Sequence, residues 1–311
     1  MSWTILVTRR VPPEGIELLQ HSGATVDLFD GDAPMPRAEL LERVARCDGL
    51  LAMGPDRVDA ELFDAAPKLK VVSCFAVGYD NVDLAEATRR RIVVTNTPDV
   101  LTDACADLTW ALMLSVARRI VEGDRFARSG EWRGWAPMQL RGVDIAGKTL
   151  GIVGAGRIGT AVAKRATGFS VRVISFSRRN TREEFDALLR QSDFVSVHVP
   201  LTPDTRHMFG ETEFRAMKPT AYFINMSRGA VHGEAALVRA LREGWIAGAG
   251  LDVYEHEPQI HPDLIALPNV VLLPHLGSAT VETRAKMAVM AAENLQTVLR
   301  GEQCANQVNP F

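Results

Sequence analysis

Arg228, Glu257 and His275 are the residues of this sequence best suited to do chemistry together. Each follows a short β-rich run: Arg228 comes after AYFINMS, Glu257 after AGAGLDV and His275 after NVVLLP. Open parallel sheets place their ligands at the C-terminal ends of strands, so three such runs predict one shared edge. There a histidine donates a proton near neutral pH, a neighbouring carboxylate keeps it protonated, and an arginine binds an anion. Those are the requirements for reducing a 2-oxo acid. Taken singly, each residue has a plainer explanation: a helix-start ion pair, a solvated loop acid, a histidine satisfied beside a turn. Asp252, inside AGAGLDV, falls at the same edge.

The strongest local pattern is KTLGIVGAGRIGTAVAKRA, in which a strand over 149–153 runs into Gly154, Gly156 and Gly159 and then a helix. Gly154 permits the tight turn, Gly156 lets a pyrophosphate approach the backbone, and Gly159 allows the helix to pack on the strand. A glycine-rich turn alone is weak, but strand, motif, helix and second strand VRVISF stand in the order a dinucleotide site needs. An NAD site closes that second strand with a carboxylate for the ribose hydroxyls. Here the strand ends in Ser177, Arg178 and Arg179. A hydroxyl and two guanidiniums suit a 2′-phosphate, so NADP is the preferred cofactor and NAD the alternative.

Earlier in the chain the run VVSC leads to Phe75-Ala76-Val77-Gly78-Tyr79-Asp80. Successive amides after a strand can hold a carboxylate, although a plain turn capped by Asp83 explains the segment equally well. His256-Glu257-Pro258-Gln259-Ile260-His261 is not a zinc-protease motif, since the histidines are five apart and Pro258 disfavours a helix. No metal site is expected. Neither a G-x-S-x-G elbow nor a phosphate-binding G-x-x-x-x-G-K-[ST] loop is present.

The elements that must position these residues alternate from end to end. TILVT, TVDLF, GLLAM, KVVSC and RIVVT form one series, and KTLGIVG, VRVISF, DFVSVHVP, AYFINMS, AGAGLDV and NVVLLPH a second, with helical segments between. That alternation predicts an α/β fold of two parallel-sheet units. An apolar helix over roughly 102–120 bridges them, followed by the aperiodic SGEWRGWAPMQLRG; a last helix spans about 281–299. With 311 residues, two domains of roughly 150 are expected. Lys plus Arg is 35 and Asp plus Glu 38, a net charge of −3, so nucleic-acid binding is not expected. RRNTREE at 178–184 is a solvated helix start by default. No run approaches a membrane span, no secretory leader is read at the N-terminus, and four scattered cysteines without a CxxC pair fit a reducing cytoplasm.

CFAVGYDNVD, NTPDVLTDACADLTWALML, GKTLGIVGAGRIG, SDFVSVHVPLTPDT, FINMSRGAV, GAGLDVYEHEP and PHLGSAT together resemble the D-isomer-specific 2-hydroxyacid dehydrogenases over nearly the whole chain. The resemblance implies that His275 is the proton donor, Glu257 its partner, and Arg228 the group binding carbonyl and carboxylate. It implies amides of Val77 and Gly78 on the carboxylate, Asp252 on the nicotinamide carboxamide, and cofactor contacts from Thr102, Arg157, Ile158, His198, Pro200, Thr205, His275 and Gly277. The implied architecture is a discontinuous, flavodoxin-like substrate domain (1–100 plus 283–311) clamped on a Rossmann domain (101–282).

TPDVLTD and the segment Gly130–Pro137 are most similar to the glyoxylate and hydroxypyruvate reductase branch, whose members frequently use NADP and form dimers. There a tryptophan at the place of Trp135 reaches the partner's site. Met53, Val77, Leu101 and Trp135 are candidate pocket walls. Formate dehydrogenases carry glutamine at the place of Glu257, and no regulatory domain is expected after Phe311, unlike in long phosphoglycerate dehydrogenases. The rivals are a dehydrogenase for another 2-oxo acid (aliphatic, aromatic or sugar-derived) and a dinucleotide-sensing, corepressor-like protein. Two departures stand out. Between Arg178 and Ser192 there is room only for EEFDALLRQ, which predicts a truncated sheet edge and an open cofactor site. His232 replaces a residue that is usually apolar, and the sequence assigns it no role.

Overall fold

The computed structural model describes residues 3–311. They divide into two compact units, one made of the segment up to Leu101 together with Ser278–Phe311, the other of Thr102–Gly277.

The first unit alternates β1 (Thr4–Val7), α1 (Pro13–His21), β2 (Thr25–Leu28), α2 (Arg37–Val44), β3 (Gly49–Ala52), α3 (Ala60–Ala65), β4 (Val71–Cys74), α4 (Leu84–Arg89) and β5 (Val93–Thr95). All pairs are parallel, in the order β2-β1-β3-β4-β5. β3 and β4 are buried throughout, which is why GLLA and VVSC read as unbroken apolar runs rather than alternating ones. Helix starts follow the sequence: Asp59 accepts the amide of Leu62, and Asp83 that of Glu86.

The second unit opens with α5 (Thr102–Ala117) and α6 (Ile120–Arg128). Its sheet then builds through β6 (Thr149–Val153), α7 (Arg157–Ala166), β7 (Arg172–Phe176), α8 (Arg182–Gln191), β8 (Phe194–Val197), α9 (Glu211–Ala216), β9 (Tyr222–Asn225), α10 (Glu234–Arg242), β10 (Gly248–Leu251), α11 (Pro262–Ile265) and β11 (Val270–Leu272). The order is β11-β10-β9-β8-β6-β7, again all parallel. Phe185, Phe209, Phe214 and Phe223 form the centre of its largest apolar cluster. Trp110 on α5 belongs to another and donates its indole N–H to the Val162 carbonyl of α7 at 3.0 Å. The helix expected over roughly 102–120 is α5, which stops at Ala117, and a second helix, α6, follows it from Ile120. Arg119 sits at φ +55°, and the Ala117 carbonyl accepts from the Val143 amide at 3.0 Å, so the helix is broken where Arg118 and Arg119 interrupt the apolar pattern. At the other end of the sheet β7 is the edge strand and α8 alone leads to β8, as the short segment after Arg178 predicts.

Chain return to the first unit occurs at Ser278, ahead of residue 283 where the resemblance placed it, because α12 (Val281–Leu299) is already capped by Thr280 at the Thr283 amide. α12 lies across β3 and β4. Ser73 donates to the Ala291 carbonyl at 3.1 Å, and Gly15 of α1 leaves no room for a Cβ against Ala288. The tail then closes β5: Val308 donates to the Val94 carbonyl, while the Asn309 side chain accepts from the Val94 amide at 2.7 Å and donates to the Ile92 carbonyl at 2.9 Å. An otherwise open sheet edge is thereby covered. No described helix is long and apolar enough to cross a membrane.

Candidate active site

The turn after β6 meets the demands of a dinucleotide. Gly154 has φ +105°, and a Cβ there would stand 2.6 Å from the His198 carbonyl carbon. β6 lies between β7 and β8, so this crevice is the switch point of the sheet. A Cβ on Gly159 would overlap the Gly154 carbonyl, whereas one on Gly156 would meet nothing within 4 Å. Gly156 begins α7, where no side chain caps the helix and no acid occupies the first turn. Helix-end amides and dipole therefore face open space that suits a pyrophosphate.

The other candidate cofactor residues of this unit lie on its strand ends, loops and helix starts. Arg157 is exposed in the first turn of α7, and Ile158 packs against the core beneath it. Ser177 donates its backbone and side-chain groups to Asn180 Oδ1, and Arg178 and Arg179 are exposed without an ion pair among the described residues. His198 Nε2 lies 2.8 Å from Ser196 Oγ, and its buried Nδ1 has no partner among the described residues. Burial pushes its pKa down to about 4, leaving a neutral ring. Thr205 Oγ1 donates to the Pro200 carbonyl at 2.6 Å and so closes its own loop. Thr102 opens α5, and Gly277 is buried.

Arg228, Asp252, Glu257 and His275 follow β9, β10 and β11 at the same sheet edge. His275 Nδ1 lies 2.8 Å from Glu257 Oε2, and Glu257 Oε1 accepts from the Tyr254 amide at 3.0 Å. Burial alone would raise the Glu257 carboxyl, but His275, the Tyr254 amide and the Arg228 guanidinium together bring it below its ordinary value. An ionised carboxylate only accepts, so His275 Nδ1 carries the hydrogen and Nε2 is the nitrogen left for a substrate. His275 itself has φ +58°, an uncommon backbone for a residue with a Cβ. Asp252 holds it there. The Asp252 carbonyl accepts from the His275 amide at 2.9 Å, and its carboxylate accepts from the amides of Leu276 at 2.6 Å and Gly277 at 2.8 Å. Burial raises the Asp252 carboxyl against the pull of those amides.

In the first unit, Met53 directly follows β3 and is buried, as is Leu101. The Val77 carbonyl accepts from Asn96 Nδ2 at 2.8 Å, while the amides of Val77 and Gly78 donate to no protein group among the described residues. Asp83 caps α4, so the segment after β4 is both a capped turn and a row of available amides. Trp135 is 84% exposed in the stretch between α6 and β6, beside Phe126, Trp132 and Leu140, which border an open apolar hollow.

Sequence reasoning missed the groups beneath the loops that carry Arg228 and Glu257. Tyr254 contributes a backbone amide, which no residue type signals. Asn225, in FINMS, accepts from the Ser227 amide and donates to the Arg228 carbonyl. Its place three residues before Arg228 was the available sign.

Residues 110–277 match the family described as "D-isomer specific 2-hydroxyacid dehydrogenase, NAD binding domain". A glyoxylate reductase of Thermococcus litoralis is 51% identical over 319 residues, covering 98% of this chain and 96% of that protein. Among solved structures, the TT0316 protein of Thermus thermophilus superposes with a TM-score of 0.93 at 47% identity, over 98% of this chain and 99% of the other. An NADPH-dependent glyoxylate/hydroxypyruvate reductase from Sinorhizobium meliloti, solved with NADP and malonate, gives 0.85 at 35% identity, over 100% and 98%. With a nicotinamide-dinucleotide turn, a histidine–glutamate pair and these relatives over its full length, the chain belongs to the D-isomer specific 2-hydroxyacid dehydrogenase family.

Proposed function

We propose that this protein reduces glyoxylate or hydroxypyruvate to the D-2-hydroxy acid, with NADPH as the preferred reductant. The observation that carries the reading is the 2.8 Å pair of His275 and Glu257, set at the same sheet edge as Arg228 and the glycine turn. The relatives named as glyoxylate reductases support the choice of substrate.

When bound, the nicotinamide supplies a hydride to C2 of the 2-oxo acid. His275 gives the proton to the carbonyl oxygen from Nε2, while Glu257 stabilises the imidazolium and fixes which nitrogen faces the substrate. Arg228 binds the substrate anion and offsets the charge developing on oxygen. The amides of Val77 and Gly78 serve the substrate carboxylate, and Met53, Leu101 and Trp135 its apolar surroundings. Asp252 orients the carboxamide end of the cofactor through the loop it holds. Thr102, Arg157, Ile158, His198, Pro200, Thr205 and Gly277 complete the cofactor contacts. Ser177, Arg178 and Arg179 recognise the 2′-phosphate. The first unit is then the substrate domain and the second the dinucleotide domain. The protein acts as a homodimer in which Trp135 leaves its own surface for the partner's site. Four free, buried thiols suit a reducing cytoplasm.

Initial rates with glyoxylate, hydroxypyruvate, pyruvate and phenylpyruvate, each with NADPH and NADH, test the reading. Fastest turnover of glyoxylate or hydroxypyruvate with NADPH is expected. Tight cofactor binding without turnover of any pair would overturn it in favour of a sensing protein or a dehydrogenase for another 2-oxo acid.

A further inference from the structure

The loop that carries Arg228 rests on a buried histidine. His232 is fully buried, and its Nδ1 lies 3.0 Å from Asn225 Nδ2. That amide has only one orientation. Its Oδ1 accepts from both the Ser227 backbone N–H at 3.0 Å and the Ser227 hydroxyl at 2.9 Å, while Nδ2 donates to the Arg228 carbonyl at 2.9 Å. Turning the amide over would set its oxygen against a carbonyl and its nitrogen against an N–H. Nδ2 therefore presents its second hydrogen to His232, whose Nδ1 must accept it, and the ring hydrogen is left on Nε2. Nε2 is buried with no partner among the described residues. An unpartnered buried donor is destabilising, so the imidazole is a poor choice for filling space alone. Its ring lies at a steep angle to that of Phe223, centroids 5.5 Å apart, a contact an aliphatic side chain could also make.

The same segment is fixed by its backbone, both within itself and from outside. The His232 amide donates to the Gly229 carbonyl, and the Phe209 amide to the Val231 carbonyl. A Cβ on Gly229 would overlap the Tyr254 carbonyl group, so the Arg228 loop lies directly on the loop leading to Glu257. Backbone contacts thus set the loop's position, and the Asn225 amide sets the peptide plane from which the Arg228 side chain departs.

We infer that His232 is a positioning residue for Arg228, acting through the Asn225 side chain. It deepens the proposed function and rests on the substrate-binding role of Arg228. With His232 neutral, Asn225 is held by an acceptor on each hydrogen and the Arg228 peptide has one orientation. An apolar residue at 232 leaves one amide hydrogen unpaired, so that the Asn225 side chain, and with it the Arg228 carbonyl, is held by the Ser227 bonds and one remaining hydrogen alone.

The full-length protein with His232→Val, His232→Asn, Asn225→Ala, the Asn225→Ala/His232→Val double change and Arg228→Ala tests this, read by glyoxylate KM, kcat and the NADPH dissociation constant. His232→Val is expected to raise KM about five- to tenfold, the scale of one lost hydrogen bond, to lower kcat by less, and to leave NADPH binding unchanged. His232→Asn, whose Oδ1 replaces the ring acceptor without replacing the ring's bulk, should recover most of that loss. The double variant should be no worse than Asn225→Ala. Unchanged KM in His232→Val would overturn the inference, as would equal damage from the Val and Asn variants or additive loss in the double variant. If Arg228→Ala keeps full turnover, the role of Arg228 itself fails, a result separate from any His232 outcome.

Discussion

His275 is gripped at two points by two different acids: Glu257 takes its ring nitrogen at 2.8 Å, and the Asp252 carbonyl takes its backbone amide at 2.9 Å. Ring and main chain are held separately, which allows a left-handed φ at a residue that must aim its other nitrogen outward. His275→Ala should lower kcat with glyoxylate by about 10²–10⁴-fold, the range for losing a positioned proton donor, with the NADPH dissociation constant nearly unchanged. Turnover within a few-fold of the parent would remove His275 from the chemistry.

Acid should weaken the fold through His232. Burial pushes its pKa from 6.5 to about 4, helped by His207 and opposed by Glu255. The unfolded chain takes up a proton below 6.5 and the folded protein does not until about 4. The neutral ring's contribution is therefore complete above 6.5 and is lost as pH falls through that window. By linkage this amounts to about 3 kcal/mol. Urea denaturation between pH 7 and 4 should show a flatter stability profile for His232→Val than for the parent; parallel profiles would mean that the ring is solvated.

Gly154 and Gly156 should separate folding from binding. Gly154→Ala puts a side chain at φ +105° against the His198 backbone and should lower stability by more than about 1 kcal/mol. Gly156→Ala meets open space and should leave Tm unchanged while weakening NADPH binding. Fluorescence titration and thermal melts on both variants check this; a Gly156→Ala protein that binds NADPH normally would place the pyrophosphate elsewhere.

Arg178 and Arg179 should discriminate between cofactors. Replacing both by Ala is expected to raise KM for NADPH by about tenfold or more, on the scale of charge-assisted hydrogen bonds to a phosphate, and to leave KM for NADH almost untouched. Equal effects on both cofactors would refute 2′-phosphate recognition by this pair.

Asn309 should matter to stability although it is near the end of the chain. Its side chain imitates a strand by bonding to the Val94 amide and the Ile92 carbonyl, and it is 5% exposed. Asn309→Ala leaves both groups unpaired and should cost about 1–3 kcal/mol in chemical denaturation, with kcat per folded molecule preserved.

Much of this architecture was legible in the residues. Parallel strands covered on both faces need apolar side chains on both, so GLLA, VVSC and FVSV announce themselves, and the glycines at 154, 156 and 159 each have a steric reason. Arg228, Glu257 and His275 could be found because each follows such a strand. The end of α5 at Ala117 was marked only loosely: Arg118 and Arg119 interrupt the apolar pattern, but the left-handed backbone of Arg119 that turns the chain has no counterpart in residue type. The roles of Asp252 and Asn225 toward backbone amides and carbonyls were hidden for a related reason: their partners are main-chain groups, identical at every position. His232 looked like an anomaly until its neighbour's two backbone bonds fixed the direction of its proton.

The pairing of Ser73 with Ala291 joins residues 218 positions apart, and every helix-to-sheet contact of α12 spans a similar distance. On the ribosome, the opening hundred residues therefore emerge without the helix that covers β3 and β4. Thr102–Gly277, a continuous stretch, has all of its own sheet available as soon as it has been translated. Synthesis order and folding order are thus inverted for the first unit: the part made first is completed last, and until α12 arrives its apolar sheet face is what a nascent-chain chaperone would meet.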